Sequence, residues 1–127
     1  MDIIERRIGE REGIIKKARE YSNTINFRAT VLLIGSYARG DFNLWSDVDV
    51  LIIGNFNGNP LQRLKAIDFP PGFEVILLTP QEFIKMKSKN IKLVKDAYNE
   101  GVILRDDFQI MDQLSKEDKV TDNRASF

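Results

Sequence analysis

Five residues near the middle of the chain have the types and the spacing that phosphate chemistry requires. Gly35 and Ser36 are followed, after ten further residues, by Asp47, Val48 and Asp49. Apolar runs flank this segment, which predicts that one strand ends at the glycine and another begins at the aspartates. Because strand side chains alternate between faces, Asp47 and Asp49 would point the same way and Val48 into the core. Two carboxylates on one face can bind a divalent metal ion together.

The Gly-Ser pair is suited to holding a phosphate group. Gly35 lets the backbone come close to a phosphate because it has no Cβ. Ser36 offers a hydroxyl, and successive backbone N–H groups at such a turn form an anion-binding concavity. A helix that begins just after Ser36 would add its partial positive charge. Arg39 is a candidate second contact because a guanidinium matches phosphate geometry, and a structural ion pair is its alternative role.

These residue types together indicate phosphoryl transfer assisted by divalent metal ions. Mg²⁺ prefers a few carboxylate oxygens and completes its coordination with water and substrate phosphate. Two such ions can activate an attacking oxygen and stabilise a departing pyrophosphate. The chain contains neither histidine nor cysteine. Acid–base chemistry must therefore come from carboxylates, metal-bound oxygen or the substrate, and a thiolate nucleophile or a cysteine-based zinc site is excluded.

The same residues resemble a known family. They form two motifs, Gly35-Ser36-x-Ala38-Arg39-Gly40 and Ser46-Asp47-x-Asp49-x-Leu51. This pattern is similar to that of the minimal nucleotidyltransferases of the DNA polymerase β superfamily, to which poly(A) polymerases, CCA-adding enzymes and aminoglycoside nucleotidyltransferases belong. The resemblance is strongest to the small stand-alone prokaryotic members, and it covers about residues 25–105.

The resemblance implies a reaction, its cofactors and a partner. The reaction is transfer of a nucleoside monophosphate from an NTP, expected to be ATP, to a hydroxyl acceptor with release of pyrophosphate. Two Mg²⁺ ions, replaceable by Mn²⁺, would be held by Asp47 and Asp49. The spacing between the motifs also matches antitoxins encoded beside HEPN-type RNase toxins, some of which transfer AMP onto the toxin. We therefore expect a HEPN-type protein partner. Two alternatives stay open, a non-catalytic antitoxin that acts by complex formation and transfer to RNA or a small molecule.

The superfamily resemblance also implies a third acidic metal ligand on a neighbouring strand. Asp68, Glu74 and Glu82 are the candidates. Asp68 precedes a Phe-Pro-Pro loop that suits a rigid ligand poorly, and Glu82 stands where it would complete the capping box of a helix. Glu74 opens the apolar strand 74–78, and a charge there needs a reason. Glu74 is therefore the expected third ligand, although family members usually have the shorter aspartate at this place.

The apolar pattern predicts an α/β (α+β) fold, and the resemblance implies that this fold is of the polymerase-β-like nucleotidyltransferase type. We expect a mixed twisted sheet, with helices mainly on one face and the site on the other. The chain is expected to form one domain over residues 1–127, with a flexible tail at 116–127. A helix capped by Asp2 is predicted to run to about Ser22, and the segment 38–42 is predicted as a short helix or a turn. Further helices are predicted at 61–67, from Pro80 with Thr79 as its cap and a break near Asn90, and after Asp106 with Met111 and Leu114 inward. Strands are predicted at 27–34, 48–53, 73–78 and 102–104.

Composition narrows the classes of partner. The chain has 19 basic and 19 acidic residues, whereas a protein built to grip nucleic acid is usually strongly basic, so nucleic acid is not the favoured partner. No apolar run has the length of a membrane span, and the first residues lack a signal-peptide pattern. We therefore expect a cytoplasmic protein that does not bind membranes.

Two surface features allow two interpretations each. Lys85, Lys89 and Lys92 would form a stripe on one helix, which is either a solvated face or a docking surface for acidic protein or RNA. Trp45 is expected to anchor its loop by packing on the core. Its alternative role is to stack on a nucleobase.

Overall fold

A computed structural model describes residues 2–110 of the chain. Within that range the chain forms five helices and four strands. In chain order they are α1 (Ile3–Asn23), β1 (Ala29–Ile34), α2 (Gly35–Arg39), β2 (Val48–Gly54), α3 (Pro60–Leu64), β3 (Phe73–Leu78), α4 (Pro80–Ser88), α5 (Lys92–Glu100) and β4 (Val102–Asp106). The strand predicted at 73–78 has the predicted bounds, and the predicted positions of Met111 and Leu114 and the tail 116–127 lie outside the described residues.

The first helix begins as its sequence predicts. The side chain of Asp2 accepts a hydrogen bond from the backbone N–H of Glu5 at 2.8 Å, which caps the helix. α1 then continues for 21 residues and buries Ala18 and Ser22 against the rest of the protein. Among the helices of the described residues, none has the length and apolar composition needed to cross a membrane.

The four strands form one mixed sheet in the order β3-β2-β1-β4. β1 pairs antiparallel with both β2 and β4. β2 and β3 pair in parallel, so both strands start at the same edge of the sheet. The central strands β1 and β2 are apolar and almost wholly buried. The α+β class and the mixed sheet are thus confirmed.

The helices cover both faces of this sheet, whereas the sequence predicted them mainly on one. Val31 and Leu33 of β1 pack in a cluster with Ala18 of α1. On the opposite face, Leu32 packs with Phe83 of α4 and with α5. The physical reason is that β1 and β2 carry apolar side chains on both faces, and each face must be shielded from water.

A break at Asn90 divides the segment that follows β3 into two helices. Thr79 caps α4 as predicted, because its side chain accepts the N–H of Glu82 while the Glu82 side chain accepts the N–H of Thr79. Asn90 has a left-handed backbone with φ of 56°, which ends the regular helix. The prediction that Lys85, Lys89 and Lys92 share one helix face is therefore wrong, because Lys92 begins the separate helix α5.

Candidate active site

The Gly-Ser turn is built around a close contact between Gly35 and Asp49. Gly35 has a φ of +73°, a conformation that costs other residues about 1–2 kcal/mol. A Cβ at this position would stand 2.4 Å from Oδ2 of Asp49. Glycine is thus required by the backbone and by the carboxylate beside it, whereas the sequence suggested only the approach of a phosphate.

Helix α2 begins at Gly35, earlier than the predicted range 38–42. Ile34 is extended and Gly35 takes its positive φ, so the chain turns from strand to helix within one residue. The N-terminus of α2 has no side-chain cap, and the first N–H groups of a helix have no acceptor within it. The half-buried Ser36 therefore stands at a turn of backbone donors, and its contact with phosphate stays a prediction.

Three neighbouring strands place Ile34, Asp49 and Glu74 in one row across the sheet. Asp49 pairs with Ile34 of the antiparallel strand β1 and with Glu74 of the parallel strand β3. Asp49 and Glu74 both line a cleft of about 180 Å³. The structure thus brings together two of the three predicted carboxylates. Asp47 is exposed and immediately precedes β2.

The cleft opens on the face of the sheet that α4 and α5 cover. Val48 and Val50 pack on the α1 side, so alternation places Asp49 on the opposite side together with Leu51. Leu93 of α5 also lines the cleft. The site was expected on a face without most of the helices. Instead a helix forms one of its walls, because α5 packs over the apolar end of β1.

Asp49 carries an unfavourable negative charge. Its pKa is raised above the ordinary aspartate value, first by burial, then by repulsion from Glu74, by a hydrogen bond with Glu74 and by repulsion from Asp47. Arg39 acts in the opposite direction. Carboxylates that repel one another in a half-buried cleft attract cations, and a cation would return the pKa toward its ordinary value.

The donor chemistry of this cleft fits a divalent cation that a substrate helps to hold. Asp49 and Glu74 present oxygen ligands side by side, and Asp47 is close enough to raise the pKa of Asp49. In residues 2–110, no three acidic side chains are grouped closely enough to hold a metal ion by themselves. That agrees with Mg²⁺ sites, which often use one or two carboxylates and take their other ligands from phosphate and water.

Arg39 lines the same cleft but is engaged in ion pairs. Its guanidinium lies 3.1 Å from Asp41 and 3.7 Å from Glu100 of α5. The hydrogen bond with Asp41 is the main reason that the pKa of Arg39 is raised. The ion-pair role left open by the sequence is therefore observed, and contact with phosphate stays a prediction.

Glu82 makes the contacts that capping predicts. It accepts the N–H of Thr79 at 2.8 Å and pairs with Arg63 at 2.6 Å. These two hydrogen bonds, with the one from Thr79 as the larger effect, lower the pKa of Glu82. The side chain is thereby accounted for structurally, which leaves Glu74 as the candidate beside Asp49.

Two arginines of α1 hold α2 and the residues that follow it. The sequence does not predict this role. Arg11 donates to the carbonyls of Tyr37 and Ala38, both at 2.8 Å. Arg7 donates to the carbonyl of Phe42 and lies over its ring, 4.8 Å from the centroid. These arginines are spaced four apart on one helix, but their acceptors lie 26–35 residues further along the chain. Local sequence therefore carries no signal for them.

The loop between α2 and Asp47 buries a different aromatic residue from the one predicted. Phe42 is 3% exposed and stacks on Tyr37 at a centroid distance of 4.3 Å. Trp45 is 87% exposed, so the prediction that Trp45 packs on the core is wrong. Phe42 follows α2 closely and reaches the core first, and the turn after it directs Trp45 outward.

Asp96 of α5 also lines the cleft and was not predicted. It pairs with Lys92 at 2.6 Å and contributes to the raised pKa of Arg39. From the sequence one can see only that Asp96 stands four residues after Lys92. The break at Asn90, which sets the course of α5, turns this face toward the cleft.

This arrangement of a mixed sheet, a Gly-Ser turn and strand-edge carboxylates is typical of enzymes that transfer phosphorylated groups. A family model described as "Nucleotidyltransferase domain" matches residues 11–123. The chain therefore belongs to the nucleotidyltransferase domain family, and its activity is nucleotidyl transfer. The expectation of a nucleotidyltransferase is confirmed.

A solved structure supports the fold. A candidate nucleotidyltransferase from Sulfolobus solfataricus, solved at 1.40 Å, is 22% identical, with a TM-score of 0.50 over 79% of this chain and 83% of that chain. No curated protein matches the chain significantly.

Proposed function

We propose that this chain transfers AMP from ATP to a hydroxyl group of a partner protein and releases pyrophosphate. Membership of the family gives nucleotidyl transfer in general. The observation that best supports the proposed site is the pairing of Asp49 with Glu74 beside Gly35, because it sets two carboxylates next to a turn suited to phosphate. The acceptor oxygen forms a bond to the α-phosphorus, the bond to the pyrophosphate oxygen breaks, and the hydroxyl proton is released.

The triphosphate is proposed to lie along the start of α2. Backbone N–H groups at Gly35 and Ser36 and the Ser36 hydroxyl donate to its oxygens. Arg39 provides a further contact if it exchanges Asp41 for phosphate. Such an exchange is feasible because the Arg39–Asp41 pair is exposed, and exposed ion pairs contribute little to stability.

Asp47, Asp49 and Glu74 are the residues proposed to hold Mg²⁺, or Mn²⁺ in its place. When bound, two such ions neutralise phosphate charge and activate the attacking oxygen. The chain's own contribution is to hold Asp49 and Glu74 side by side at the strand edge, with the exposed Asp47 just before β2. Burial of Asp49 and then repulsion from Glu74 and Asp47 raise its pKa, and both effects favour a bound cation.

A protein of the HEPN type is the proposed acceptor. The motif spacing resembles antitoxins that modify such toxins, and the balance of 19 basic and 19 acidic residues does not favour nucleic acid. A tyrosine or another hydroxyl side chain of this partner would enter the open cleft beside Asp49.

Transfer can be measured with ATP labelled at its α-phosphate. The chain is incubated with Mg²⁺ and the purified product of the gene adjacent to its own. The expected result is a labelled partner whose mass increases by whole AMP units, and no label after chelation of the metal. The double variant Asp47→Asn with Asp49→Asn should lose metal-dependent ATP binding, seen by calorimetry, while it stays folded.

A matched pair of variants tests the third carboxylate. Glu74→Gln should reduce transfer by about 10²-fold or more, because it removes a charge from the cleft. Glu82→Gln makes the same change at the capping residue. It should cost about 0.5–2 kcal/mol of stability and little activity. Full turnover by Glu74→Gln would overturn its assignment. A partner that is never labelled, yet is inhibited equally by the Asp47/Asp49 variant, would favour the non-catalytic antitoxin.

A further inference from the structure

Four exposed apolar side chains that the proposed reaction does not use lie at the start of α1 and on the loop before Asp47. We call Ile3, Ile4, Leu44 and Trp45 the apolar patch. Their side chains are 68%, 66%, 88% and 87% exposed. Exposed apolar groups that lie together often mark sites of association.

Trp45 and Leu44 are held outward by a well-connected turn. The side chain of Asn43 accepts the N–H of Trp45 at 2.9 Å, and the hydroxyl of Ser46 accepts the N–H of Asn43 at 2.9 Å. Phe42 anchors the start of the same loop in the core. The exposure of the two apolar residues is therefore a property of an ordered turn.

Helix α1 continues the patch on the other side of a shallow depression. Ile3 and Ile4 precede Arg7 by four and three residues, which is one helical turn, and Arg7 contacts Phe42. Ile3 and Leu44 line the same depression of about 180 Å³. The start of α1 and the tip of the loop thus form one surface.

This surface lies beside the candidate active site. Trp45 is two residues before Asp47, so their Cα atoms are at most about 7 Å apart. A macromolecule that covers Trp45 therefore comes close to Asp47, the first of the proposed metal-binding carboxylates.

We propose that the apolar patch is the docking surface for the protein acceptor, an inference that rests on the proposed function. The acceptor would cover Leu44 and Trp45 with apolar side chains of its own and so bring its hydroxyl to the cleft. Tryptophan is one of the three residue types, with tyrosine and arginine, that are enriched among the residues that dominate binding.

The chemistry of the surface favours protein over nucleic acid. Ile3, Ile4 and Leu44 are aliphatic, so Trp45 is the one residue of the patch with a ring that can stack on a base. The depression is lined by Arg6 and Arg7 but also by Glu10, and Arg7 already donates to the carbonyl of Phe42. A phosphate backbone requires several cations that are not balanced by acidic groups.

Trp45 itself reports on docking because it is the single tryptophan of the chain. The full chain is titrated with a tryptophan-free variant of the adjacent-gene product, with emission excited at the indole. We expect a saturable blue shift, since the ring leaves water. Leu44→Ser and the double variant Ile3→Ser with Ile4→Ser keep the reporter and should weaken the Kd by roughly tenfold or more.

Leu61→Ser is the matched control. Leu61 is also an exposed leucine, 75% exposed, but it lies on α3, which follows the far end of β2. Its Kd should stay within about twofold of the wild-type value. In the transfer assay, Trp45→Ser should raise the KM for the acceptor roughly tenfold while ATP binding is unchanged.

The results separate this inference from the proposed function. A blue shift that the patch variants weaken, without labelling of the partner, would support docking and contradict AMP transfer. Labelling that Leu44→Ser and Trp45→Ser leave unchanged would overturn docking alone. Absence of any shift with the partner, a saturable shift with single-stranded RNA instead, or a dimer of the chain that Leu44→Ser dissociates would each overturn the docking proposal.

Discussion

Gly35 shows how one residue can satisfy backbone and site requirements together. Its positive φ lets β1 turn directly into α2, and its missing side chain leaves room for the Asp49 carboxylate. Gly40, at the other end of α2, also has a positive φ, of +92°, but a Cβ there would meet no atom within 4 Å. Substitution of each glycine therefore distinguishes the effect of backbone strain, which both positions share, from crowding of the Asp49 carboxylate, which occurs only at Gly35.

Gly35→Ala should reduce both stability and activity. We expect a loss of about 1–2 kcal/mol in the free energy of unfolding from the backbone alone. Transfer should fall further than in Ser36→Ala, because the new Cβ displaces Asp49. Losing the Ser36 hydroxyl removes one hydrogen bond, worth roughly 2- to 10-fold in rate. The measurements are urea unfolding and kcat/KM.

Gly40→Ala is the control for this comparison. It should lose stability by a similar mechanism but retain most of its activity, since nothing lies beside it. Equal losses of activity in Gly35→Ala and Gly40→Ala would show that crowding of Asp49 is unimportant.

The charge of Asp49 predicts a pH-dependent effect on stability. Its pKa is raised in the folded protein, so the stability linked to its protonated form is lost as the pH rises through the folded pKa. Asp49→Asn should therefore unfold at a higher temperature than the wild type at neutral pH without divalent metal. The difference should shrink on acidification and vanish below pH ~4.

Asp107→Asn should behave in the opposite way. The pKa of Asp107 is lowered, mainly by its hydrogen bond with Arg105, and the carboxylate also accepts the N–H of Ala29. Its stabilisation is present at neutral pH and is lost as the pH falls through the folded pKa. Thermal unfolding from about pH 2 to pH 8 checks both variants, because the Asp107 carboxylate is protonated only below its ordinary pKa. If both shift the midpoint in the same direction at neutral pH, the electrostatic account of Asp49 is wrong.

At the scale of elements, α2 depends on α1. A helix of five residues is too short to be stable by itself, and its last carbonyls need partners. Arg11 supplies two hydrogen bonds to them from α1. The element that presents Gly35 and Ser36 is thus held from outside.

Arg11→Gln should loosen α2. Hydrogen bonds to charged groups contribute about 1.5–3 kcal/mol, so a loss near this range is expected, together with faster amide exchange in residues 35–39. Arg19→Gln is the control on the same helix, because Arg19 has an exposed contact of 3.4 Å to the carbonyl of Ile103. It should change stability by less than about 0.5 kcal/mol. Equal effects of the two substitutions would contradict a specific role for Arg11.

At the scale of the whole described structure, the sheet determines which residues and which helices meet at the candidate site. The parallel pairing of β2 and β3 brings their starts, and hence Asp49 and Glu74, to one edge. The helices on the Asp49 face supply Asp96 and Leu93 to the cleft, while α1 on the other face holds α2 and contributes Ile3 and Ile4 to the apolar patch. The extent of the domain over residues 1–127 stays a prediction.

Much of the fold and site could be predicted because the signals are local. Apolar runs place β1, β2 and β3 within about two residues of their observed bounds. The caps Asp2 and Thr79 follow from residue types at fixed spacing. The motifs at Gly35 and Asp47 could be recognised from the sequence because each is a short segment with its own chemistry.

The tertiary structure decided what depends on distant contacts. Trp45 and Phe42 are both aromatic residues of one loop, and only their distances from the core, set by α2, decide which of them is buried. Arg11 meets its acceptors across 26 residues. The pairing of Asp49 with Glu74 required the order of the strands, since residue types alone do not show which strand lies beside which. The sequence by itself thus determined the local elements and the reactive residue types, and folding determined which of them meet, because contact energies between distant segments depend on the arrangement of the whole sheet.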